Sequence, residues 1–342
     1  MPADRCQRRS PPVSSRAVTQ PRPTQDNTPF FIIGAGRSGT TLLRLILAGH
    51  SRLHIPPETR FIRPLVRELP LSGRLNPAQV ARAVAIMTAD YRWPDMEISA
   101  EDLAAMAARL PHPDLAAVID LVYRRQLERA GKSRSGDKTP IYFEIVPQLA
   151  TLYPGAKFIH LIRDGRDVAI SRIDVDWDRY HERAKFEWTL AMAKRREYQA
   201  SELSRQILDV RYEDLVRGPQ ETIQQICAFL GEKFEPAMLD WQHLTTLVPA
   251  RERHIHGKLG KPMSSDDLGV WRHRLSALEC FAIEACLYQD LEPLGYQLRF
   301  SGRIWRPLLR AGGVLLPIVG PWLRRGVSFL RRRNMLHRQV YV

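Results

Sequence analysis

Residues 29–49 read PFFIIGAGRSGTTLLRLILAG. The apolar run Phe30 to Ile33 suits a buried strand. After the glycine loop, Leu42, Leu43, Ile46 and Leu47 fall at helical spacing, and Gly49 stands where a helix would be capped. Strand, glycine loop and helix together present backbone N–H groups and a helix N-terminus to an anion. The stretch nearly fits the phosphate-loop pattern G-x-x-x-x-G-K-[ST]. Gly34, Gly39 and Thr41 match, but the lysine slot holds Thr40, and the nearest cation is Arg37 inside the loop.

A second unit of the same kind, KFIHLIRDGRDVAISR, starts at Lys157. Its strand runs into Arg163, with Asp164 next and Ser171 on the helix that begins near Gly165. A nucleoside triphosphatase needs the loop lysine and an acidic group for Mg²⁺ at such a strand end. A cation there suits an anion instead, although Asp164 leaves a metal role open. Arg163 and Asp164 could also form only a salt-bridged turn. A third strand is expected near 206–211. Strands alternating with helices predict an α/β fold, a P-loop-like, doubly wound parallel sheet flanked by helices.

The 342 residues carry a net charge of +14, unevenly placed. Residues 1–28 hold five Arg and two Asp, and residues 299–342 hold ten Arg and no acid. The body, 29–298, is left near neutral, unlike a nucleic-acid-binding domain with a basic face inside the fold. The first 28 residues are rich in Pro, Arg, Ser and Thr and read as a disordered arm with no secretory signal. The four cysteines form no C-x-x-C pair, which argues against structural zinc and fits a reducing cytoplasm. Residues 71–131 are Ala-rich and helical in pattern, an insertion expected to cover the acceptor pocket. In the tail, about 303–338, the apolar run from Ala311 to Leu323 is too short to span a bilayer and is broken by Pro317 and Pro321. Its arginines around Trp322, Leu323, Val327 and Leu330 suit a peripheral site on an anionic membrane surface, or else packing on the body.

The set GAGRSGTTLL, PPETR, GDKTP, FIHLIRDGRDVAIS and VRYEDL resembles the sulfotransferases that use 3′-phosphoadenosine 5′-phosphosulfate (PAPS). The resemblance covers roughly residues 30–275, in order and spacing. The E-T-R segment is similar to that of the protein-tyrosine sulfotransferases, but Arg63-Pro64 stands where those enzymes carry Pro-Arg. The resemblance implies that Arg37, Ser38, Gly39, Thr40 and Thr41 bind the 5′-phosphosulfate. It implies Arg163 and Ser171 for the 3′-phosphate, Lys138 near the bridging oxygen, Tyr212 near the nucleotide, and Lys261 as a late lysine that contacts phosphate. Glu58 would be the general base, and Arg60 would help shape the acceptor site. A sulfuryl group carries less charge than a γ-phosphate and needs donors and a cation rather than a metal clamp, so Thr40 in the lysine slot is expected.

Other readings of single residues compete. Glu58 could be a helix N-terminal charge. His54, four residues earlier, is the substitute base, His160 reads as a packed strand residue, and Trp271 as either a nucleotide wall or core. A Mg²⁺-dependent nucleoside kinase or phosphotransferase, or a non-catalytic nucleotide-binding partner protein, are the rival functions. ATP turnover would mark the first, and tolerance of Glu58 and Lys138 replacement the second. The acceptor is a hydroxyl on a lipid, glycan, phenol or tyrosyl peptide, and membrane docking would favour a lipid-linked one.

Overall fold

The computed structural model describes residues 28–175, 182–257 and 259–312. The arm at 1–28 and the tail from 313 onward were assigned from sequence and lie, apart from Thr28, outside the described residues.

Five strands form one all-parallel sheet in the order β2-β3-β1-β4-β5. They are β1 (Phe30–Ile33), β2 (Leu53–His54), β3 (Arg134–Lys138), β4 (Lys157–Ile162) and β5 (Ile207–Arg211). Side chains alternate across a strand. In β1, Phe31 and Ile33 therefore enter one core with the inserted helices, while Phe30 and Ile32 enter a second core on the opposite face. Burying each of these side chains contributes about 1.5–3 kcal/mol.

Helix α1 (Thr40–Ala48) covers the second face. Helix α2 (Ile62–Glu68) follows β2, and α3 (Pro77–Thr88), α4 (Ala100–Ala108) and α5 (Leu115–Ala130) occupy the stretch 71–131, which is helical. Its ends are written locally. Asn76 and Gln79 form a capping box around Pro77, Asp114 caps α5, and Gly131 ends it in the left-handed conformation. Then come α6 (Val146–Leu152), α7 (Gly165–Asp174), α8 (Glu182–Gln199), α9 (Tyr212–Arg217), α10 (Pro219–Leu230), α11 (Trp271–Arg274) and α12 (Ala277–Leu291).

Two strands differ from the sequence expectation. Neither β2 nor β3 was expected. The β3 segment, RSGDK, has no apolar residue, yet all five residues are buried beside β1. Gly136 permits this, because a Cβ there would lie 2.3 Å from the ring of Phe30 on the paired strand.

The chain leaves β1 for one side of the sheet and later returns to build the other. In open parallel sheets a ligand crevice forms where the order reverses, outside the carboxyl ends of the strands. All five strands deliver residues there. The glycine loop follows β1, Glu58 lies shortly after β2, Lys138 ends β3, Arg163 follows β4, and Tyr212 follows β5.

Candidate active site

A cavity of about 750 Å³ opens at this edge. Its walls include Arg37, Gly39, Thr40, Thr41, Glu58, Arg60, Arg163, Ser171, Tyr212 and Lys261. Ser38 does not line it; its Oγ is buried and has no hydrogen-bond partner among the described residues.

The loop is shaped by close packing. Gly39 caps α1 with φ 95°, and a Cβ on it would lie 2.4 Å from the ring of Tyr212. Arg37 also takes a positive φ, 73°. Its Nε donates to Ser171 Oγ at 3.2 Å and its Nη2 to the Ile255 carbonyl at 2.9 Å. Arg163 stacks over Tyr212, 4.6 Å from the ring centroid, and donates to the carbonyls of Arg37 and Asp267 at 3.3 and 3.2 Å. Burial, then the positive charges of Arg163 and Arg172, hold the Arg37 pKa down to about 10. Cations brought this close favour an anion between them.

Asp164 does not bridge to Arg163. It forms a two-pronged pair with Arg166, at 2.9 and 2.7 Å, and caps α7 through the Arg166 N–H. Arg166 continues to Glu284 at 2.5 Å and stacks 3.6 Å from the Trp271 ring centroid. Trp271 is accordingly a core residue, 4% exposed. Asp167 accepts from the N–H groups of Gly269 and Trp271 at 2.7 and 2.9 Å, tying the late loop to α7.

The second half of the site centres on Glu58. Lys138 Nζ donates to Glu58 Oε1 at 2.7 Å and to Thr41 Oγ1 at 3.4 Å. Arg60 Nε and Arg92 Nη1 each lie 3.3 Å from Glu58 Oε2. Burial alone would raise the Glu58 pKa, but Lys138, Arg92 and Arg60 outweigh it and bring it down to about 2. Glu58 precedes α2 and does not stand in its first turn, so it is not a charge serving the helix dipole.

His54 does not line the cavity. It is held neutral by burial and by Arg44, its pKa down to about 4. His160 sits in β4, buried, 3.1 Å from Asp209.

The wall residues missed in the sequence include Arg92, Glu252 and His256. Arg92, from the insertion, lies between Glu58 and Glu252 of the late loop and bonds to both. His256 Nε2 lies 3.4 Å from Thr41 Oγ1, and burial, Arg37 and Lys138 lower its pKa to about 3. The run RERHIH was the available signal for Glu252 and His256, but nothing in it ties these residues to the glycine loop.

The model of the Sulfotransferase family matches residues 29–236. Nodulation protein NoeE of Sinorhizobium fredii is 27% identical over 78% of this chain and 65% of its own length. Protein-tyrosine sulfotransferase A of Caenorhabditis elegans is 23% identical over 71% of this chain and 61% of its own. The chain thus spans less than two thirds of the length of these curated relatives. Among solved structures, the sulfotransferase domain of the Synechococcus PCC 7002 olefin synthase superposes with a TM-score of 0.61 at 24% identity, covering 83% of this chain and 100% of that one. At that identity the likeness is one of fold.

Proposed function

We propose, from the premise that the chain belongs to the sulfotransferase family, that it moves the sulfuryl group of PAPS to an acceptor hydroxyl. The observation that carries this reading is Lys138. Its ammonium reaches Glu58 at 2.7 Å and the loop hydroxyl of Thr41 at 3.4 Å. One cation thus links a carboxylate on the acceptor side to the anion loop.

The residues present fit the nucleotide. Arg37 with the loop groups at Gly39, Thr40 and Thr41 would hold the 5′-phosphosulfate, and the buried, unpartnered Ser38 Oγ lies within the same loop. Arg163, whose Nε is also buried without a hydrogen-bond partner among the described residues, would hold the 3′-phosphate with Ser171. Tyr212 and Lys261 complete the wall. PAPS supplies the sulfuryl group and a phosphate leaving group.

Glu58 would take the acceptor proton as the new S–O bond forms. In this structure its charge is held by Lys138, Arg92 and Arg60, which makes it a weak base. A leaving-group oxygen beside Lys138 competes for that ammonium and frees Glu58 to accept a proton. Lys138 would then meet the charge that develops as the bridging S–O bond breaks. The roles require no metal.

The acceptor is proposed only as a hydroxyl compound: lipid, glycan, phenol or tyrosyl peptide. Docking on an anionic membrane surface remains part of the proposal. It is supported by exposed Ile304, Trp305 and Leu308 beside exposed Arg303 and Arg306, where the described chain runs toward the arginine-rich tail. Among the described residues no helix is long and apolar enough to cross a membrane.

The decisive experiment is calorimetry of adenosine 3′,5′-bisphosphate with EDTA present. Metal-independent binding is expected. Binding of Mg²⁺-ATP but not of the bisphosphate would overturn the reading.

A further inference from the structure

Beneath Glu58 lies a buried carboxylate that the proposed chemistry does not use. Asp137 is fully buried, as are Thr59, Thr139 and Tyr142. Asp137 Oδ2 accepts from the hydroxyls of Thr59 and Tyr123, the latter at 2.6 Å, and Oδ1 accepts from Thr139 at 2.8 Å. The donors come from three separate places: the turn after β2, helix α5 and the end of β3.

Thr59 is held at every polar atom. Its N–H donates to Thr139 Oγ1 at 3.1 Å, its hydroxyl donates to Asp137, and its carbonyl accepts from Tyr142 OH at 2.8 Å. Tyr142 OH in turn accepts the Ile62 N–H at 3.2 Å, fixing the entry to α2.

The adjacent residues carry the site. Glu58 precedes Thr59 and Lys138 follows Asp137. The bonds Thr59–Asp137 and Glu58–Lys138 are therefore two rungs between the same pair of segments. One rung lies in the core and the other reaches the cavity wall through Glu58. An ionised carboxylate is costly to bury, and an apolar side chain of its size would often serve packing as well. What three converging hydroxyls provide is a fixed direction.

We propose that Asp137 is a positioning residue that acts through Thr59 to fix the Glu58 carboxylate against Lys138. The assignment rests on the reading of Glu58 as the base. Asp137 itself touches neither the cavity nor the reacting atoms. Loss of the core rung leaves Glu58 on a turn held by fewer bonds, and the close pairing with Lys138 loosens.

The test compares Thr59→Val with Thr59→Ser in the full chain, so that the hydroxyl is removed or kept. The readouts are the carboxyl ¹³C resonance of Glu58, assigned by its loss in Glu58→Gln, and calorimetric binding of adenosine 3′,5′-bisphosphate. Thr59→Val is expected to raise the titration midpoint of Glu58 by at least about one pH unit, while Thr59→Ser stays close to the wild type. Bisphosphate affinity is expected to stay within about threefold in both variants, well under the tenfold that 1.4 kcal/mol represents. A Glu58 titration unchanged in Thr59→Val, or displaced as far in Thr59→Ser, overturns the proposal. Should Thr59→Val not fold, Thr139→Val removes the neighbouring hydroxyl of the same network and is read by the same two outcomes. Failure of the wild type to bind the bisphosphate would count against sulfuryl transfer, while the Glu58 titration still decides the positioning.

Discussion

Lys138 Nζ lies 2.7 Å from Glu58 Oε1, although 80 residues separate the two in sequence. The pair joins the turn after β2 to the end of β3, and both side chains are at least nine-tenths buried. Lys138→Met should therefore do two things. It removes the cation proposed for the leaving group, lowering turnover by about 10²–10³-fold on the scale of one lost electrostatic donor. It should also raise the Glu58 pKa, because the largest of the attractions holding it down is gone. Steady-state rates and Glu58 ¹³C titration check the two effects separately.

Glu58→Gln should keep bisphosphate affinity and lower turnover by about 10²–10⁴-fold, the usual scale for loss of a general base. His54→Ala should leave turnover largely intact, since His54 does not line the cavity. A dead His54→Ala beside a fully active Glu58→Gln would reverse the assignment.

Arg163→Ala should weaken bisphosphate binding by about 2–4 kcal/mol, as expected when a charge-assisted contact is lost from a partly buried site. Calorimetry gives the number directly. An unchanged affinity would move the 3′-phosphate elsewhere in the cavity.

Gly39→Ala should damage both stability and binding. The backbone conformation alone costs a side chain about 1–3 kcal/mol. The added Cβ also meets the Tyr212 ring at 2.4 Å, and that ring lies under Arg163. A lowered thermal midpoint together with weaker bisphosphate binding is the expected pair; an unaffected binding constant would show that the loop does not need Tyr212 in place.

Stability should fall in mild acid because of two half-buried histidines. His54 and His256 are lowered from 6.5 to about 4 and about 3. The unfolded chain therefore binds more protons than the folded one below their ordinary pKa. Their contribution is complete above about pH 6.5 and is lost as pH falls toward the folded values, at up to about 1.4 kcal/mol per pH unit for each group. Urea unfolding between pH 7 and 4 should show this slope, and His256→Gln should flatten it. A variant slope equal to the wild type would remove His256 from the account.

The sequence by itself determined the phosphate-type loop, the two strand–loop–helix units around Arg37 and Arg163, and the helical character of the insertion. Those signals are local. An apolar run before glycines, a helix period after them and capping residues at the ends act within a few residues of each other. Only the tertiary structure made RSGDK a buried strand, because its polar residues need partners from elsewhere: Gly136 must meet Phe30, and Asp137 must meet Thr59 and Tyr123. It also paired Asp164 with Arg166 rather than with Arg163, and it brought Glu252 to Arg92 across 160 residues, with Arg92 also beside Glu58. A buried charge is stable only beside a partner that satisfies it. Which partner that is depends on the packing of distant segments, and no spacing along the chain specifies it.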